Sequence, residues 1–228
     1  MPAKAPGGLR AALAILWKDL AVEWRSRSLL TAMFVFALLV ILIFNFALEL
    51  DARARRDVTA GVLWATFAFA GTLGLNRSLA IESEMGALDG LLLAPVDRSA
   101  LFFGKALGNL VFLTILEIFT LPVYALLYNV NVFNPGLLLV IGLGSLGYVV
   151  VGTLLAGMAA QARTRELLLP VMLFPLTLPL LIAAVRASSS FLGGLEMEFI
   201  RPSLNLLIVY DVIMLALGYM FFDAIVEE

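Results

Sequence analysis

No cysteine and no histidine occur anywhere in the 228 residues. The first absence excludes a disulfide, a thiolate metal site and a cysteine nucleophile. The second removes the commonest general base, the commonest metal ligand and the usual axial ligand of heme. Charge is scarce as well. Only 14% of the residues are charged and 62% are apolar, against roughly 25% and 45–50% in a soluble domain. No Gly-x-x-x-x-Gly-Lys-Ser/Thr run is present, so the chain offers no phosphate cradle for a nucleotide. Gly104-Lys105 lacks both the upstream glycine and the following hydroxyl residue. Residues 1–28 carry Lys4, Arg10, Lys18, Asp19, Glu23, Arg25 and Arg27 and no clean apolar stretch, which is unlike a cleaved signal peptide. The first span is expected to be its own uncleaved insertion signal. The chain reads as a membrane protein without catalytic machinery of its own.

The apolar residues fall in long runs, and six of these are long enough to cross about 30 Å of hydrocarbon. The runs are Leu29–Leu48, Val58–Leu75, Ala106–Tyr128, Leu137–Ala160, Leu167–Val185 and Leu204–Phe222. The fold class is therefore all-α and polytopic, as one domain over 1–228: an interfacial helix in 1–28 and a six-helix bundle in 29–228. Lys and Arg set the orientation. With the N-terminus inside, segments 1–28, 76–105, 161–166 and the tail hold five, three, two and zero basic residues. The outer segments 49–57, 129–136 and 186–203 hold three, zero and two. Ten against five places both termini in the cytoplasm. Arg53, Arg55 and Arg56 weigh against this locally, but Glu49, Asp51 and Asp57 accompany them. The longest external segment is expected to be Arg186–Pro202.

Ahead of the first span, Leu9, Leu13, Leu16, Leu20 and Trp24 recur every three or four residues and make one apolar face. Trp17 and Trp24 suit the headgroup boundary, and Lys18, Arg25 and Arg27 suit anionic lipid. Residues 8–27 are thus expected to lie as a helix in the cytoplasmic interface. The alternative is an N-terminal extension of the first span. The fourth span is rich in Gly142, Gly144, Ser145, Gly147, Gly152, Ala156 and Gly157, which permits close helix approach in lipid.

Two acids fall inside spans, where an ionisable residue is a functional candidate. Glu117 shares a predicted polar stripe with Thr114, Tyr124 and Tyr128, near Pro122. Asp211 shares a face with Met214 and Gly218. Each acid has two readings: a cavity-lining group, or a carboxyl bonded to a neighbouring helix. In the fifth span Pro170, Pro175 and Pro179 each remove a helical hydrogen bond, which predicts a kinked or broken helix. Pro175 and Pro179 are the hinge candidates, with a static bend as the alternative.

The longest polar interruption, 76–105, interleaves Glu82, Glu84 and Asp89 with Met85, Leu88, Leu91 and Leu92. Positions 85, 88 and 92 have helical spacing, and Gly90 and Pro95 limit the length, so a short amphipathic helix is expected. Docking on another protein and an ordinary interfacial loop are both open on spacing alone. The run Glu84-Met85-Gly86-Ala87-Leu88-Asp89-Gly90-Leu91-Leu92-Leu93-Ala94-Pro95-Val96, followed by Gly104-Lys105, resembles the signature of ABC-2 type export permeases. Ala87 stands where that family usually has Thr, and Asp89 where it has Glu. The resemblance implies a cytoplasmic coupling element on a separate ATPase subunit, with Glu84, Gly86, Leu88 and Asp89 in contact and Glu82 just ahead of them.

A narrower resemblance follows from overall layout and from Pro175-Leu176-Thr177-Leu178-Pro179-Leu180-Leu181-Ile182. These are similar to the CcmB family, the heme exporter protein B permeases of cytochrome c maturation. That resemblance implies a second copy of the permease, a cytoplasmic ABC ATPase, a heme-handling membrane subunit, a heme chaperone outside the membrane, and a bacterial inner-membrane location. ATP would then be bound by the partner subunit. Heme would be cargo of the complex, and no cofactor is assigned to this chain, since only Met, Tyr or an acid could reach iron here. Three other functions are compatible with the residues. One is an ABC-2 exporter of lipid, drug or glycan. Another is a proton-coupled transporter using Glu117 and Asp211. The third is a passive membrane scaffold.

Overall fold

The computed structural model describes residues 8–47, 52–84, 98–159 and 165–226. Within them the chain forms seven helices and no strand. These are α1 (Gly8–Ser26), α2 (Ser28–Ala47), α3 (Ala52–Glu84), α4 (Arg98–Tyr128), α5 (Pro135–Ala159), α6 (Arg165–Leu192) and α7 (Met197–Val226). Helices α2 to α7 each contain a stretch long and apolar enough to cross a membrane, so this is a multi-pass membrane protein. The even number of crossings brings the start of α2 and the end of α7 to one side. Ring packing agrees, because Phe103 near the start of α4 lies 6.3 Å from Tyr219 near the end of α7.

Local chemistry sets the corners. At Arg27 the backbone turns left-handed, with φ of 53°, and separates α1 from α2. The two are distinct helices, and α1 is not an extension of the first span. Glu23, buried in α1, caps α2: its Oε1 accepts from the Leu30 N–H at 2.9 Å and its Oε2 from Ser26 Oγ at 3.2 Å. A carboxylate there satisfies an orphan donor and complements the positive end of the helix. Helix α4 ends at Asn129, also left-handed, with the Val130 N–H donating to the Ala125 carbonyl. Asn134 caps α5, its Oδ1 accepting from the Gly136 N–H at 2.9 Å, and Pro135 takes the first helical position. Gly194 gives α6 the same kind of ending as α4, with the Leu195 N–H on the Ser190 carbonyl.

Helices α3 and α5 are the most buried spans, at 72% each. They form the centre, and α5 packs against α3, α4, α6 and α7. Glycines make its close approaches. Trp64 of α3 fills the space over Gly144, Leu75 of α3 that over Gly152, and Asp211 of α7 that over Gly147. In lipid such contact, rather than water exclusion, holds helices together. Outward faces stay apolar, as with Phe119, Leu126, Val171 and Val212.

Several boundaries differ from the sequence expectation. Helix α3 continues through 76–84 and α4 starts at Arg98, so the predicted inner loop is confined to 85–97, outside the described residues. Apolar packing of Ala100, Leu101 and Phe102 carries α4 past Arg98 and Lys105. The expected external loop Arg186–Pro202 is mostly helix, and only 193–196 connect α6 to α7. Ala183, Ala184, Ala187 and Ser188 remain buried at helical spacing and carry α6 beyond the charge of Arg186. Helix α6 also runs through Pro170, Pro175 and Pro179 without a break. Its buried stripe is Leu169, Leu173, Thr177, Leu180 and Ala184, while Pro175 and Pro179 lie exposed on the opposite side.

Candidate functional site

Two groups of polar residues stand out, one where α1 meets α4 and one around α5. In the first, Lys105 Nζ lies 2.8 Å from Asp19 Oδ2, and Lys18 Nζ lies 3.2 Å from Asp19 Oδ1. Next to this pair, a Cβ on Gly104 would stand 2.9 Å from both the Ala12 carbonyl oxygen and Ile15 Cβ. Gly104-Lys105 therefore docks α1: glycine admits the backbone and lysine closes an ion pair. The face of α1 turned to the bundle is Ala11, Ala12, Ile15, Asp19 and Glu23, whereas Leu9, Leu13, Trp17 and Trp24 point away. The predicted apolar stripe thus divides. Leu16 and Leu20 are partly covered, and the larger outer residues are left for another apolar medium.

Around α5, Ser145 Oγ donates to Glu117 Oε1 in a short hydrogen bond. Glu117 is thus bonded to the neighbouring helix. On the other side of α5, the Asp211 carboxyl of α7 is buried against Gly147, and neither oxygen has a hydrogen-bond partner among the described residues. Ser145 and Gly147 are two residues apart on α5, about 200° around the helix. The two acids consequently flank the central helix instead of meeting in one cavity.

Further bonds complete a belt. The Tyr148 hydroxyl donates to the Ala68 carbonyl at 2.6 Å and lies 2.6 Å from Thr72 Oγ1. Trp64 Nε1 donates to Ser188 Oγ at 2.9 Å, and Asn109 Nδ2 to Thr153 Oγ1 at 3.1 Å. Tyr124 donates to the Thr59 carbonyl and stacks on Tyr128 with centroids 4.4 Å apart. The expected stripe of Thr114, Glu117, Tyr124 and Tyr128 holds for three members. Thr114 is exposed, because its position turns toward the outer face, and Thr120 is buried in its stead. Asp211, Met214 and Gly218 do share one inward face, with Phe102 over Gly218.

Glu82 and Glu84 sit on the last turn of α3, and Gly86, Leu88 and Asp89 lie outside the described residues, as does the expected short helix. The sequence reading did not single out Glu23 as a cap or Asp19 as the partner of Lys105. A positional signal existed for Glu23, an acid five residues ahead of the uncharged run that starts at Ser28.

Comparison with known proteins places residues 10–227 under the family model described as CcmB protein. The chain is 27% identical over 188 residues to a heme exporter protein B from Rhodobacter capsulatus, covering 81% of this chain and 85% of that protein. It is 26% identical over 213 residues to one from Bradyrhizobium diazoefficiens, covering 92% and 94%. A third, from Pseudomonas aeruginosa, is 25% identical over 182 residues, covering 79% and 82%.

Proposed function

The chain belongs to the CcmB family, and from that premise we propose that it is the permease subunit of an ATP-driven complex exporting heme in cytochrome c maturation. A separate cytoplasmic ATPase works on the 81–95 segment, and two permease copies match two ATPases. The single domain is of the ABC-2 type and lies in the inner membrane of a bacterium with both ends in the cytoplasm. This chain contributes no catalysis.

One observation carries the coupling role. Helix α3 continues from Asn76, the end of its apolar stretch, through Glu84. Eight further residues at about 1.5 Å each extend it roughly 12 Å past the apolar stretch. Helix α4 returns from the same side. The 85–97 segment is therefore borne on two continuous helices that reach the bundle centre. A push on it is passed by α3 to the packing at Gly144 and Gly152. Through α4 it reaches Lys105, α1 and Glu117.

The names of the relatives support heme as cargo. With no His or Cys in the chain, iron ligation falls to a partner, a heme-handling membrane subunit or a heme chaperone outside the membrane. The response on the outer side either moves heme or releases the loaded chaperone.

The test is complementation of a deletion strain, with heme staining of c-type cytochromes and capture of the ATPase on the tagged permease. Wild type restores cytochromes and Asp89→Lys loses both cytochromes and bound ATPase. Normal cytochromes and normal capture with Asp89→Lys would overturn the coupling role.

A further inference from the structure

The N-terminal helix leaves a gap that the rest of the bundle does not close. Between the second half of α1, the start of α2 and the middle of α4 runs a groove of about 1080 Å³. Its apolar walls are Trp17, Trp24, Leu30, Phe34, Ile115 and Phe119. Phe34 and Phe119 meet edge to face at 6.4 Å and lie farthest along α2 and α4 from the corner. At the corner end stand Arg25 and Arg27, both exposed.

Three features define the occupant. The first is length. From Arg27 to Phe34 is seven helical steps, about 10 Å, and from Val111 to Phe119 eight, about 12 Å. The groove therefore extends over most of one leaflet's hydrocarbon, itself about 15 Å deep. The second is polarity along that length. The basic residues cluster at one end and the Phe34–Phe119 pair closes the other, which matches a molecule with an anionic head and an apolar tail. Trp24 directly precedes Arg25 on the groove wall, and indoles favour membrane interfaces. The third is the charge left over after internal pairing. The acid at this corner is Glu23, and both of its oxygens are engaged, by Leu30 N–H and by Ser26 Oγ. Asp19, one turn back, is held by Lys105 and Lys18. Among the described residues neither acid forms an ion pair with Arg25 or Arg27, although Glu23 lines the same groove.

We propose that this groove is a binding site for one anionic phospholipid of the leaflet on the α1 side. Arg25 and Arg27 take the headgroup phosphate, and an acyl chain lies along Leu30 and Ile115 to the Phe34–Phe119 pair. The lipid fills the wedge between α1 and the spans, and so holds the helix docked through Gly104-Lys105 at a set angle to the membrane. The site does not depend on the nature of the cargo or on the presence of an ATPase.

The test uses the full chain in nanodiscs of phosphatidylglycerol and phosphatidylcholine at equal mole fraction, followed by native mass spectrometry of the lipid retained. Wild type is expected to retain one phosphatidylglycerol with at least about tenfold preference, the scale of two interfacial cations. Arg25→Gln/Arg27→Gln brings that preference near parity. Ile115→Trp, which fills the groove and leaves every charge in place, expels the bound lipid. Equal retention of both lipids by wild type overturns the proposal. So does an unchanged preference in the arginine variant, or retention in Ile115→Trp, which would mark surface attraction only. Displacement of the lipid by stoichiometric heme would reassign the groove to the cargo and also overturn it.

Discussion

The Lys105 ammonium lies 2.8 Å from the Asp19 carboxylate and ties the start of α4 to the middle of α1. Both side chains are nearly covered, at 11% and 12% exposure, so the pair is screened far less than one on an open surface. Together with the backbone approach at Gly104 it makes α1 part of the bundle. Gly104→Val forces the contact with Ala12 and Ile15 apart, an overpacking cost of about 1–3 kcal/mol, and Lys105→Met removes a charged bond of similar size. Both variants are expected to insert normally and to be cleaved by trypsin within α1 faster than wild type, because an undocked α1 frays and loses the protection of its helical backbone. Cleavage at the wild-type rate in both would show that α1 is held by something else.

Glu23→Ala should cost about 1–2 kcal/mol, because the Leu30 N–H and the Ser26 hydroxyl lose their acceptor at the α1–α2 corner. Glu23→Gln keeps an acceptor and loses the charge, so its loss is smaller. Thermal unfolding in mild detergent ranks the three proteins; equal melting temperatures for Ala and wild type would contradict the cap.

Glu117 separates the ATP-driven reading from a proton-coupled one. Its Oε1 accepts from Ser145, and a glutamine presents a carbonyl oxygen in the same place. Glu117→Gln should therefore support near-normal c-type cytochrome levels, whereas Glu117→Leu leaves the Ser145 hydroxyl unpaired at about 1 kcal/mol. Loss of all activity in Glu117→Gln would favour proton coupling.

Asp211 presents the opposite case, a buried carboxyl without a hydrogen bond among the described residues. Removing an unpaired buried polar group favours folding, so Asp211→Ala should raise the melting temperature. Activity should fall if the acid is kept for transport, as intramembrane acids usually are. Gly147→Ala, whose new methyl meets both Asp211 Oδ1 and Leu180 Cδ1, should destabilise wild type and cost less in the Asp211→Ala background, where only the Leu180 contact remains. Additive effects in that double-mutant cycle would contradict the contact.

Much of the fold was legible because a bilayer imposes one period and one length. All six apolar runs correspond to helices, and the amphipathic stretch begins and ends within a residue of α1. Glu117 and Asp211 drew attention as acids in apolar runs, and their burial agrees. Less legible was anything set by a distant partner. Arg186 and Arg98 looked like loop residues, yet buried neighbours at helical spacing carry the helices past them. Thr114 fitted a polar stripe by spacing but falls on the outer face. Asp19 and Lys105 lie 86 positions apart, and nothing local joins them. Which side of α1 turns inward was hidden too, because in lipid small residues pack against protein and large apolar ones are left outside.

The most direct test of the ATP-driven heme-export account is affinity purification of the tagged protein in mild detergent from its own host, with mass spectrometry of what accompanies it. The account predicts a cytoplasmic ABC ATPase together with subunits of cytochrome c maturation. An ATPase without those subunits would contradict heme as the cargo, and the absence of any ATPase would contradict the coupling role itself.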